Sequence, residues 1–189
     1  MKSCMIILAV ALSALQSLAD EPLPIKPIKG FDATRYMGVW YEIARLPNWF
    51  ERNLVNVTAT YSLRPDGRVN VLNAGYKKTA QGRKSEAKAV ARFAGEPEVG
   101  HLKVTFFWPF SADYIILDLD QADYQYAVVS GRSRKYLWIL SRSPEMSPER
   151  YEALVELARQ HGFDTNRLYR VPQDWTTEVQ PQPSTFSTH

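Results

Sequence analysis

The sequence has 189 residues, 45% of them hydrophobic and 23% charged, which provides for one domain with a substantial core and is short for two. That balance excludes disorder over most of the chain, and a formal net charge of +3 is too small to point to nucleic acid. The aromatic share is 12% and includes five tryptophans, a composition that suits strands and a lined cavity better than helices.

Met1 and Lys2 precede an apolar run from Met5 to Leu15, and Ser17-Leu18-Ala19 places small residues where a signal peptidase reads. Residues 1–19 therefore read as a secretory signal, too short and too interrupted to span roughly 30 Å of hydrocarbon. Cys4 is the single cysteine and lies inside that segment. The mature chain is then expected to fold without a thiol or disulfide, on its core alone. A lipoprotein needs cysteine directly after the cleavage point, where this sequence has Asp20. The expectation is an exported, periplasmic and soluble protein.

From Glu21 to Gly30, prolines and lysines read as an extended arm. Phe31 to Tyr36 fits one helical turn capped by Asp32. Short β-type runs follow at Trp40–Arg45, Asn56–Leu63, Val69–Tyr76, Lys84–Phe93, His101–Phe107, Tyr114–Leu119, Tyr124–Ser130 and Tyr136–Ser141. Turn chemistry separates them, as at Arg64-Pro65-Asp66-Gly67 and Gly95-Glu96-Pro97. A sheet of eight strands in one domain must curl and close or split in two, and closure removes exposed edges. The reading is an all-β, eight-stranded antiparallel up-and-down barrel with room for one small ligand. One helix follows, capped by Ser147, opened by Pro148 and stopped by Gly162. Its stripe of Tyr151, Leu154, Val155 and Ala158 is expected to pack outside the barrel, with Phe163 and a short Leu168–Val171 strand completing the docking. The domain thus covers 20–175, and the polar, proline-containing residues 176–189 read as a disordered tail.

Over Ile25 to Trp175 the chain resembles the lipocalin family. Gly38-Val39-Trp40 opens the first strand, Asp123-Tyr124 enters the seventh, and Arg142 follows Leu137-Trp138-Ile139-Leu140-Ser141. Ala122 stands where many members have Thr. Thr58 to Leu63 and Phe106-Phe107-Trp108-Pro109-Phe110 bring it nearest the bacterial, outer-membrane-type branch. The resemblance implies binding of a fatty acid or lysophospholipid. Gly38, Trp40, Asp123, Tyr124 and Arg142 would be structural, Trp40 plugging the floor with Arg142 across its indole.

Alternation assigns the cavity wall. With Trp40 inward, Glu42 and Ala44 follow; the rest of the expected lining is Val57, Ala59 and Tyr61, Val71, Ala87 and Ala89, Val104 and Phe106, Tyr114 and Ile116, Tyr126 and Val128, Trp138 and Leu140. Ala87, Ala89 and Ala91 are small where a self-filling barrel would carry Leu or Phe, so they leave space for an acyl chain. Glu42 is the exception, a carboxylate that must be paired or neutral there.

The first, third, fifth and seventh connections share the open mouth and carry Arg45, Arg52, Lys77, Lys78, Arg83, Lys84, Arg132, Arg134 and Lys135. The floor connections carry Asp66, Glu96, Glu98, Asp120 and Asp123. Trp49, Phe50, Trp108 and Phe110 also stand at the mouth, an aromatic and basic composition that suits an anionic membrane surface. A binder of haem, a retinoid or another flat hydrophobe is the alternative ligand reading. A lipid-modifying enzyme is the other rival class. The histidines, His101, His161 and His189, stand apart from any serine–acid pair and from metal-ligand spacing. The isomerase members of the family use a cavity cysteine, so no catalytic, metal or cofactor site is expected here.

Overall fold

Asp32 starts the ordered entry into the barrel: its carboxylate accepts hydrogen bonds from the backbone N–H groups of Thr34 and Arg35 and caps the single helical turn α1, Ala33–Tyr36. A computed structural model describes residues 21–175; the expected signal segment 1–19 and tail 176–189 lie outside the described residues. Nine strands follow α1: β1 (Gly38–Arg45), β2 (Leu54–Leu63), β3 (Val69–Lys77), β4 (Lys84–Phe93), β5 (His101–Phe107), β6 (Phe110–Leu119), β7 (Tyr126–Ser130), β8 (Leu137–Ser141) and β9 (Tyr169–Arg170). The helix α2, Pro148–Gln160, lies between β8 and β9.

Each of the first seven strands pairs antiparallel with the next, and β1 pairs with both β8 and β2, which closes the barrel. The eight-stranded up-and-down architecture is the one the turn spacing predicts. The wall is not uniform. β1 and β2 pair only from Gly38↔Tyr61 to Tyr41↔Thr58 and then diverge. The chain beyond α2 fills that seam: β9 pairs with Ala44 and Arg45, the Asn56 N–H donates to the Pro172 carbonyl, and Gln173 donates to the carbonyls of Glu42 and Val57. β4 and β5 pair only at Val90–Phe93, so the mouth-side half of β4 has a partner on one edge alone.

Two apolar layers use the two faces of the wall. The interior layer includes Trp40, Val71, Ala91, Val104, Ile116, Ala127, Val129 and Leu140. The outer layer joins Ile43, Ile115, Leu117, Val128, Leu137 and Ile139 to Leu154 and Ala158 of α2. Ser147 Oγ accepts from the Arg150 N–H, Pro148 occupies the first turn, and Gly162 ends the helix with φ of +76°.

The family signature builds the closed end. Trp40 is completely buried, and its indole N–H donates to the Tyr36 carbonyl at 2.9 Å. The Arg142 guanidinium lies 3.9 Å from the Trp40 ring centre while donating to the carbonyls of Val39 (2.9 Å), Arg35 (2.8 Å) and Tyr124 (3.3 Å). Gly38 has φ of +96°, and a Cβ there would meet Arg142 at 3.3 Å, so both backbone and space favour glycine. Tyr124 receives a hydrogen bond at its hydroxyl from the Asp32 N–H, while Asp123 is exposed. The floor is less acidic than its loop composition indicates, because Asp66 is clamped by Arg64 at 3.2 Å and Arg68 at 2.6 Å.

Candidate functional site

A layer of tyrosines divides the barrel interior. The Tyr114 hydroxyl is hydrogen-bonded to those of Tyr36 and Tyr61, each at 2.8 Å. Burial pushes all three phenols upward, so they stay protonated. Below the layer, Phe31, Met37, Val69, Leu102 and their neighbours leave a void of only about 10 Å³. Above it is an open-ended cavity of about 130 Å³, close to the roughly 150 Å³ of a cavity that admits one benzene.

Ten of the residues expected on the cavity wall line this space, Glu42, Val57, Ala59, Tyr61, Val71, Val104, Phe106, Tyr114, Trp138 and Leu140, and Phe50 joins them from the mouth. Ala89 and Ile116 point inward as expected but belong to the packed interior layer, with Ile116 fully buried. Ala87 is exposed, because β4 and β5 splay before reaching it. Trp108 is 89% exposed, at the tip of the β5–β6 connection.

Three residues expected to face the cavity lie on the outer surface of the wall instead. Ala44 is turned out by a bulge: Glu42 pairs with Leu140 but Ala44 pairs with Ile139, so Ile43 is an extra residue that reverses the alternation. Tyr126 and Val128 face α2, and the Tyr126 hydroxyl accepts from Arg150 at 3.1 Å. Their neighbours Ala127 and Val129 pair directly with the inward Leu140 and Trp138 and so share their face. Ala127, Val128, Val129 and Ser130 are all fully buried, so β7 has no polar side to reveal its register.

The same bulge buries Arg45, which the sequence places on the basic rim. Only 3% exposed, it donates to Glu42 Oε1 at 2.6 Å and to the Glu51 carbonyl at 2.7 Å, with its Nε 4.0 Å from Glu51 Oε2. Glu51 also accepts from the Trp138 indole N–H at 3.0 Å and from the Asn48 side chain. Burial first, then the adjacent Glu51 carboxylate, hold the Glu42 carboxyl well above the usual range, and Arg45 pulls it partly back. The remaining lining includes Thr58, Asn73, Ala112, Asp113 and Val129, which alternation did not select. Glu51 comes from the connection between β1 and β2, and Asp113 from β6, where it pairs with Lys103 of β5. Only pairing across the barrel brings them in.

At the rim, Phe50 packs on Tyr136 and Trp138, and those two rings stack at 8°. Trp49 is 83% exposed; Phe107 and Phe110 on the β5–β6 hairpin are 80% and 78% exposed. Of the expected basic residues, Arg132 and Lys84 pair with Asp113 and Glu86, and Arg134 donates to the carbonyls of Leu23 and His161. Among the described residues, Arg52, Lys77, Lys78, Arg83 and Lys135 form no ion pair, so the rim keeps a basic excess.

Residues 31–173 match the lipocalin-like domain family. The chain is 43% identical over 159 residues to the outer membrane lipoprotein Blc of Vibrio cholerae, covering 84% of this chain and 92% of that protein. It is 30% identical over 152 residues to apolipoprotein D of Macaca fascicularis, covering 77% and 79%. Insecticyanin from the tobacco hornworm Manduca sexta superimposes with a TM-score of 0.65 at 20% identity, over 84% of this chain and 88% of that one, a likeness of fold. With the closed barrel, the outer helix and the Trp40–Arg142 floor, these matches establish that the chain belongs to the lipocalin family.

Proposed function

We propose that the protein carries a single-chain lipid, a fatty acid or lysophospholipid, in the upper barrel and exchanges it with anionic membrane through the open rim. Binding a small hydrophobic ligand is the activity the family membership supports, and the relatives are named as lipoproteins and an apolipoprotein. The observation carrying the finer reading is the continuity of apolar surface from cavity to rim. Val71, Val104 and Leu140 wall the space, and Phe50, Phe106 and Trp138 lead from it to exposed aromatics. A space of about 130 Å³ encloses only part of an acyl chain, so the rest lies against the rim rings. Each methylene removed from water contributes about 0.8 kcal/mol, so hydrophobic burial alone supports micromolar binding.

Exposed tryptophan and phenylalanine next to unpaired lysine and arginine match the polar–apolar boundary of an anionic bilayer. The apolar leader and the outer membrane lipoprotein relatives support a site of action in the periplasm, facing such membranes. Cosedimentation with anionic and neutral vesicles at low and high salt tests the exchange. Expected is binding to anionic vesicles that weakens with salt and is lost in the Trp108→Ser, Phe110→Ser double variant. Equal, negligible binding to both vesicle types would overturn the membrane part. Mass spectrometry of material co-purifying with the protein tests the cargo.

A further inference from the structure

The carboxyl side chains lining the cavity are Glu42, Glu51 and Asp113, and no lysine, arginine or histidine is among the lining. Asp113 is fully engaged by His101 at 2.7 Å, Lys103 at 2.6 Å and Arg132 at 3.0 Å. Glu42 and Glu51 differ: two carboxylates share the single guanidinium of Arg45, which leaves one acid in excess. Glu42 is 4% exposed, and of its two carboxylate oxygens only Oε1 receives a hydrogen bond from the described residues. The Glu42 carboxyl also lies against that of Glu51, to which it can donate when protonated, and both side chains line the cavity. The result is a buried carboxyl pair with one guanidinium between them, on the wall that whatever occupies the barrel must meet.

Beside it stand aromatic faces. Trp138 is fixed through its indole N–H on Glu51, Phe50 lies 6.5 Å from it, and both line the cavity. Aromatic faces with adjacent carboxylates are the surroundings that hold ammonium and quaternary ammonium groups. A free carboxylate at the same depth would meet two acids and no uncommitted cation. The donors available to it, such as Thr58 and Asn73, carry no charge, and an ionised group leaving water without a counter-ion is costly. Burial and the neighbouring Glu51 favour a proton on Glu42 while the cavity is empty of cations; a bound ammonium would take that proton's place.

We propose that this cavity selects single-chain amphiphiles whose polar group is a protonated amine or quaternary ammonium over those ending in a free carboxylate, with Glu42 and Glu51 as the specificity-determining pair. The inference rests on the reading of the cavity as a lipid site.

The test is displacement of a fluorescent apolar probe from the full mature chain at neutral pH. The competitors share a decyl chain, short enough to keep the polar group near Glu42: decylamine, decyltrimethylammonium, decanol and decanoate. The two cations should displace the probe at about tenfold lower concentration than decanoate. In Glu42→Gln, and more fully in the Glu42→Gln, Glu51→Gln double variant, that ratio should fall to about threefold or less. Decanoate displacing as well as the cations in the wild type would overturn the proposal, and so would a preference that persists in a folded double variant. If the double variant does not fold, the wild-type ranking and the single variant decide. Failure of all four compounds, decanol included, would instead refute the lipid-cavity reading and this proposal with it.

Discussion

Replacing Tyr114 by Phe removes one oxygen from the middle of a buried chain of three hydroxyls. Tyr114 bonds both Tyr36 and Tyr61 at 2.8 Å, so the change cuts two hydrogen bonds and leaves two hydroxyls without their partner. Tyr36 is 2% exposed and packed against Phe31 and Trp40, so its stranded hydroxyl has no route to water. Tyr61 borders the cavity and can be rehydrated there. An unsatisfied buried polar group costs about 1–3 kcal/mol and a net hydrogen bond about 1 kcal/mol. Tyr114→Phe should therefore lose about 2–4 kcal/mol of unfolding free energy, whereas Tyr61→Phe, which cuts one bond at the wet end, should lose about 1 kcal/mol. Urea unfolding of the three proteins, followed by tryptophan fluorescence at equal m-value, gives both differences. A Tyr114→Phe variant no less stable than Tyr61→Phe would refute the hydroxyl chain as a structural layer.

Arg142→Lys keeps the charge but replaces a planar fork that reaches Val39, Arg35 and Tyr124 carbonyls and covers the Trp40 ring. It should destabilise by about 2–4 kcal/mol in thermal or urea unfolding, a loss of less than about 0.5 kcal/mol contradicting the floor's role. Glu42→Gln tests the buried acid through pH. Burial and then Glu51 raise the folded carboxyl above the unfolded value of about 4.3, so the group's stabilising contribution is present below that pH and is lost as pH rises through the folded value. Glutamine does not titrate. The variant should gain stability relative to wild type as pH rises above about 4, and a difference independent of pH would show that the Glu42 carboxyl titrates alike in the folded and unfolded chains.

Local chemistry made most of the architecture legible. Pro65-Asp66-Gly67 and its counterparts punctuate the strands, Ser147-Pro148 and Gly162 bound the helix, and short connections force neighbouring strands to pair antiparallel. Gly38 and Trp40 stand far from Arg142 in the chain, yet the resemblance they carry implies a capped floor, and the Arg142–Val39 hydrogen bond closes it across 103 positions. What alternation could not supply was the face of a strand buried on both sides. Alternation puts Tyr126 and Val128 inward, whereas the pairing of Ala127 and Val129 with Leu140 and Trp138 turns them outward.

The sequence by itself determined eight strands, one outer helix and an aromatic, basic rim, because turns, caps and period-two patterning act within a few residues. The tertiary structure decided the rest. The bulge at Ile43 turns Ala44 outward and brings Arg45 inside, where it meets Glu42 and Glu51. The tyrosine layer, made by contacts spanning 53 and 78 positions, sets how deep the cavity runs. Both depend on which distant residues become neighbours when the barrel closes, a choice made by the packing of the whole interior and not by any local pattern.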